Sequence, residues 1–95
     1  MASPVHRLGD ICSGHGCFGS RPNIGGSPTV FVNGIPVHRV SDPWQSHCCG
    51  PSCHGATQST GSATVFANGL AIARIGDAVS CGSVNQTGSP TVSAG

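Results

Sequence analysis

Six Cys and five His in 95 residues are the side chains best able to do chemistry here, and they are unevenly spread. The densest stretch is His47-Cys48-Cys49-Gly50-Pro51-Ser52-Cys53-His54, with Cys12, His15 and Cys17 before it and Cys81 after it. Thiolates and imidazoles are the donors of structural zinc sites, which take four N or S ligands at about 2.0–2.3 Å. His15, His47, His54 and Cys81 would supply three imidazoles and one thiolate. The Gly50-Pro51 turn could fold both His of the dense block back to one ion. Cys48 or Cys53 could replace a His, and Cys12 and Cys17 could instead be small buried apolar side chains. The competing chemistry is a disulfide framework, for which six Cys leave many connectivities open. Against it, the adjacent Cys48 and Cys49 cannot comfortably bridge each other. The first residues also lack a basic segment followed by an apolar stretch, so no secretory signal is visible. Synthesis and folding in the cytoplasm are expected, and there Cys/His clusters more often bind metal than crosslink. Zinc (Zn2+), one per chain, is the expected staple.

Catalysis is not expected. A catalytic zinc keeps a position for water beside a carboxylate base. The chain has no Glu, and its three Asp all belong to the repeat described below. No Gly-x-Ser-x-Gly elbow is present, and no Gly-x-Gly-x-x-Gly joins a strand to a helix. Four Arg, no Lys and a net charge of +1 leave no basic footprint for nucleic acid. No apolar run reaches the ~18 residues of a membrane-spanning helix. Gly, Pro and Ser together exceed a third of the chain, a composition typical of low-complexity segments, yet charge is too sparse for disorder by self-repulsion. One domain over residues 1–95 is expected, with no effector extension. A chain this short sits just above the ~70–80 residues below which folds usually need a staple.

The elements that must position the cluster come from an internal repeat. Gly26-Ser27-Pro28-Thr29-Val30-Phe31-Val32-Asn33-Gly34 matches Gly61-Ser62-Ala63-Thr64-Val65-Phe66-Ala67-Asn68-Gly69, and Gly88-Ser89-Pro90-Thr91-Val92 starts a third copy. Each Asn-Gly is followed by a second half: Pro36-Val37-His38-Arg39-Val40-Ser41-Asp42, then Ala71-Ile72-Ala73-Arg74-Ile75-Gly76-Asp77. The second half that completes the third copy is at the other end of the chain, Pro4-Val5-His6-Arg7-Leu8-Gly9-Asp10. Two ends that complete each other predict a closed, pseudo-threefold arrangement rather than an open solenoid. Thr-Val-Phe is strand-forming, and Asn-Gly is the strongest two-residue hairpin turn, so each unit reads as a β-hairpin. The repeated Arg-x-x-Asp reads as a structural ion pair, and His6 and His38 read as packed or solvent-facing residues rather than ligands. Irregular loops over about residues 11–25, 43–60 and 78–87 leave the Asp ends and must meet near the axis. The fold expected is all-β: three pseudo-threefold β-hairpin repeats whose irregular loops converge on one side.

This pattern resembles the PAAR-repeat family, named for a Pro-Ala-Ala-Arg tetrapeptide. The motif stands here as Pro4-Val5-His6-Arg7, Pro36-Val37-His38-Arg39 and Ala71-Ile72-Ala73-Arg74, in phase with the Gly-Ser-x-x-Val-Phe-x-Asn-Gly runs. The third tetrapeptide lacks its Pro, and the last strand ends Val-Ser-Ala-Gly. The resemblance implies a membrane-piercing tip that caps the trimeric β-helical spike of a contractile injection machine, a phage tail or a type VI secretion system. One tip would sit on each trimer, monomeric on its own, and touch the target-cell envelope transiently. It implies a small cone whose irregular loops converge at a metal-bound apex, with a zinc there held by three His and one Cys, matched most closely by His15, His47, His54 and Cys81. The alternative is a free-standing zinc- or disulfide-stapled binding module without a spike partner.

Overall fold

The computed structural model describes residues 2–95, so Met1, where the expected domain begins, lies outside them. Among the described residues there is no helix. The strands are β1 (Ser3–Pro4), β2 (Phe31–Val32), β3 (Ile35–Pro36), β4 (Pro43–Cys49), β5 (Ser52–Thr57), β6 (Phe66–Ala67), β7 (Leu70–Ala71) and β8 (Ser93–Ala94). They form four antiparallel pairs: β2–β3, β4–β5, β6–β7, and β1–β8, which joins the two ends of the chain. The split repeat therefore closes as its sequence predicts.

Asn33 and Gly34 take φ of 56° and 76°, and Asn68 and Gly69 take 55° and 78°. These left-handed pairs give the turn whose twist suits a two-residue hairpin. In the third hairpin the chain ends stand where the turn would be. The three hairpins share one hydrogen-bond scheme: Val5, Val37 and Ile72 donate their N–H to Val92, Val30 and Val65 at 3.0–3.1 Å. Ser27, Ser62 and Ser89 each fold their hydroxyl back onto the N–H groups two and three residues on. Each also binds across to a neighbouring unit, at Asn68, Gly95 and Asn33 respectively. The Gly before each Ser lets backbones approach closely: a Cβ at Gly61 would lie 2.6 Å from the Ile72 carbonyl and one at Gly88 2.7 Å from that of Val5.

At the centre the backbone closes on itself. His6 donates its N–H to Ala73 O at 2.9 Å, Ala73 to His38 O at 2.8 Å, and His38 to His6 O at 3.1 Å. A second set of three runs from Leu8 to Pro36, Val40 to Ala71 and Ile75 to Pro4. Above this ring the small core packs Val5, Val37 and Ile72 with Val32, Ala67 and Ala94, two sets of threefold-equivalent residues. Below it, Cys12, Trp44 and Val79 form a second cluster. Each follows its Asp by two residues, so the pseudo-symmetry extends one layer into the loops.

The expected ion pairs are present three times: Arg7–Asp10, Arg39–Asp42 and Arg74–Asp77 at 2.8–3.1 Å. Each Asp carboxylate also accepts the backbone N–H of its own Arg, and each Asp N–H returns to the Arg carbonyl. The residue before the Asp has φ of 86° at Gly9, 80° at Ser41 and 90° at Gly76. This is the left-handed position of a type II turn, where a Cβ is strained. Ser41 is exposed and bonds only through its backbone. Ser41→Gly is expected to raise stability by about 0.5–1 kcal/mol, an increase in melting temperature of several degrees for a chain of this size. An unchanged or lower melting temperature would contradict the strain assigned to this turn.

His6 and His38 pack, as expected for residues that are not ligands, and are fully buried. Their rings stand edge to face with centroids 5.4 Å apart, and both touch Trp44. Each Nδ1–H donates at 2.7 Å to a carbonyl, Thr87 for His6 and Gly25 for His38, which leaves both Nε2 atoms as bare buried acceptors. Burial, with a smaller push from His38, pushes His6 down to about 4, against a raising pull from its carbonyl bond and Asp10. Burial likewise lowers His38. The unfolded chain binds these protons more readily. Stability from the neutral rings is therefore complete above the ordinary imidazole value and is lost as pH falls from about 6.5 towards 4. For His6 the loss amounts to about 3 kcal/mol. Denaturant unfolding across that window is expected to show a steeper acid loss for the parent than for His6→Ala, although the variant is weaker at neutral pH. Equal slopes would remove His6 as the cause.

Candidate metal centre

The stretch 43–60, expected as an irregular loop, contains the longest hairpin of the protein, β4–β5. Its sequence is poor in β-branched residues, which hid it. Its cross-strand register is Trp44↔Ala56, His47↔His54, Cys48↔Cys53 and Cys49↔Ser52, with a shift between Trp44 and His47. Side chains alternate across a strand, so His47 and His54 share one face and Cys48 and Cys53 the other. Loop one supplies His15 through a tight turn: His15 and Phe18 exchange both backbone hydrogen bonds across Gly16, whose φ is 55°. Loop three supplies Cys81 from the turn around Gly82.

These elements bring the four sequence-derived residues together. The candidate ligand atoms of His15, His47, His54 and Cys81 all lie within 4.8 Å of one another, a group that could hold a metal ion. The three Nε2 atoms form a triangle with sides of 3.2, 3.1 and 2.8 Å. Ligands on a tetrahedral ion at about 2.05 Å stand about 3.3 Å apart, close to these separations. His47 donates Nδ1–H to the Gly19 carbonyl at 2.8 Å. That bond fixes the tautomer and turns the Nε2 lone pair into the triangle, as metal-bound imidazoles require. Partial desolvation, then the charges of His47, His15 and Arg21, hold His54 below the usual imidazole range, which favours its neutral form. Burial pushes the Cys81 thiol up, but hydrogen bonds from the Ser83 backbone and hydroxyl and from the Arg21 guanidinium outweigh it and leave the thiol below its ordinary value. Three imidazoles and a thiolate are a donor set that a divalent borderline ion takes.

Four of the remaining five Cys are crosslinked. Cys17 pairs with Cys49 and Cys48 with Cys53 in disulfides, leaving Cys12 and Cys81 free. The disulfide reading, set behind zinc on compartment grounds, is thus correct for four of six Cys. It does not compete with the metal group, because the bridges use other residues. Cys48 and Cys53 are engaged with each other and cannot replace a His. Cys17 is exposed rather than buried, while Cys12 is fully buried as the apolar alternative expected. The Cys17–Cys49 bridge lies two residues beyond His15 on one element and two beyond His47 on the other. It ties together the two segments that carry those ligand atoms.

Two neighbours of the group carry no sequence signal. Phe18 packs its ring on all three imidazoles, with centroids 4.8 Å from His15, 5.0 Å from His47 and 4.3 Å from His54. It covers the triangle with an apolar face. Arg21, the one Arg outside the Arg-x-x-Asp pattern, is buried and reaches both free sulfurs.

No curated protein matches the chain. The family described as PAAR motif matches residues 20–87, well over half of the sequence. The match spans the β2–β3 and β6–β7 hairpins, the β4–β5 hairpin with His47 and His54, and Cys81 in loop three, so this all-β chain belongs to the PAAR motif family.

Proposed function

We propose that this protein is the tip of a contractile injection machine's central spike. One monomer would cap a trimeric β-helix, with a structural zinc near the apex. The observation that carries this reading is the closed threefold ring built from one chain. A monomer with three near-equivalent faces can cap a true trimer without much loss of symmetry. The hairpin end, away from the loops, offers a surface suited to that contact. Val30, Val65 and Val92 occupy equivalent positions and are exposed by 38–39%; Phe31 and Phe66 are exposed by 54% and 57%, with Ser93 in the third place. Large exposed apolar residues repeated about an axis mark an interaction site. Stacked there, the tip would also shield the unpaired strand ends of the spike. A structural rather than a catalytic role fits a fully protein-ligated ion. Delivery outside the producing cell follows from the same role.

The protein mixed with a trimeric β-helical spike is expected to form a complex of one chain per trimer by native mass spectrometry. Phe31→Ser/Phe66→Ser should weaken it at least tenfold while folding normally. A spike panel that the parent never binds would favour the free-standing module.

The metal is tested separately. His15, His47 and His54 would hold zinc through Nε2 and Cys81 through its thiolate. The purified protein should carry one zinc, lost in His54→Ala or Cys81→Ala. The loops should loosen on hydrogen exchange while the three repeat hairpins stay protected. A tightly held zinc in either variant would overturn this ligand set.

A further inference from the structure

Three of the four Arg are neutralised by an Asp three residues on, and these are all the acidic side chains the sequence has. Arg21 is the exception and is only 5% exposed. A buried guanidinium without an acid must find other acceptors for its donors. Nε donates to the Gln45 carbonyl at 2.8 Å. Nη1 donates to Cys12 Sγ at 2.8 Å and Nη2 to Cys81 Sγ at 3.4 Å. The guanidinium carbon also lies 5.0 Å from the centre of the Trp44 ring, within cation–π range. Its backbone is held equally firmly: Arg21 O accepts from Cys12 N–H at 3.1 Å, and the next residue, Pro22, accepts from Gln45 N–H at 3.2 Å. The cation is thus clamped between loop one and β4, with one prong on a candidate ligand and the other on a sulfur that is not one.

We propose that Arg21 is a positioning residue of the metal centre: its planar fork, anchored on Cys12 and Gln45, holds Cys81 Sγ at the fourth corner of the histidine triangle. The same N–H bond draws electron density from the sulfur and weakens its donation to the ion. The inference rests on the reading that this group binds a metal. A fork is required because three acceptors must be met in one plane; a Lys ammonium carries the charge without that geometry. Residues that orient metal ligands from outside the coordination sphere typically change affinity by about 10–100-fold when replaced.

Cobalt(II) alone is the probe, with zinc affinity measured by competition against a chromogenic chelator. The parent should take one Co2+ with tetrahedral d–d bands and a sulfur-to-cobalt charge-transfer band. Arg21→Gln is expected to bind about 10–100-fold more weakly, with its charge-transfer band at lower energy because the sulfur donates more strongly. Arg21→Lys should fall between the two in affinity and show the same band shift, and it decides the matter if the Gln variant does not fold. Parent-like affinity and band position in the folded variants would overturn the proposal, even with a lowered melting temperature, since that is the mark of a packing role alone. A parent that binds no cobalt, or binds it without the sulfur band, would instead overturn the metal reading and this inference together.

Discussion

The structure depends on three backbone hydrogen bonds that close a ring: His6 to Ala73, Ala73 to His38, His38 to His6. No strand in the three repeat hairpins is longer than two residues, and an isolated hairpin that short has no stability in water. Closure changes this. Each second half-repeat pairs with its own first half and also with its neighbours about the axis, through Val5↔Arg74, Arg7↔Val37 and Arg39↔Ile72. Every central backbone group is satisfied without a long sheet. The cost of closure is geometric: both chain ends must arrive at one place, which is why β1 and β8 pair. The Arg-x-x-Asp turns then aim all three loops to one side. The metal group is a consequence of this aim, since its residues come from three segments far apart in sequence.

Symmetry holds where the structure is scaffold and fails where it carries chemistry. The ring positions are His, His and Ala. Trp44 packs against both His rings, while the third ring position is the small, buried Ala73. One layer on, Cys12, Trp44 and Val79 occupy equivalent places with unlike side chains. Beyond them equivalence is gone: β4–β5 supplies two imidazoles, loop one supplies one, and loop three a thiol. A threefold set of identical loops could present three or six like ligands but not a His3Cys set. Lengthening the second loop into a hairpin is what places two candidate ligands on one face.

This division also explains what could be read from the sequence. The repeats were legible because Gly-Ser, Asn-Gly and Arg-x-x-Asp each answer a local backbone demand: a close approach, a left-handed turn and a turn-closing ion pair. His15, His47, His54 and Cys81 were one donor set among several that the three loops offered, and the family resemblance singled them out. The β4–β5 hairpin was hidden because its pairing is driven by the disulfide, the His contacts and Trp44 rather than by strand propensity. The partition of the Cys was hidden because a bridge depends on Cα positions, and 5.4 Å between Cys17 and Cys49 is visible only in three dimensions. Phe18 and Arg21 were missed for the opposite reason. An aromatic or a cation in a Gly-rich loop has no pattern to mark it until its neighbours are known.

The staples differ in what they join. Cys48–Cys53 closes β4 onto β5 within one hairpin, and Cys17–Cys49 joins loop one to that hairpin. Among the described residues no disulfide reaches loop three. That loop is held by backbone bonds such as Gln86 to Ile11 and Ser80 to Thr57, by Arg21 on Cys81, and by Val79 packed against Cys12 and Trp44. Disulfides alone would therefore leave the apex with two legs crosslinked and the third held by hydrogen bonds and by this packing of Val79. A metal bridging Cys81 to the three imidazoles, as proposed above, would supply a strong link between elements already brought close. Binding to a site whose segments are crosslinked costs less ordering entropy than assembling it from free loops. The two kinds of staple are thus complementary: the bridges prepare the histidine triangle, and the ion would draw the last loop to it.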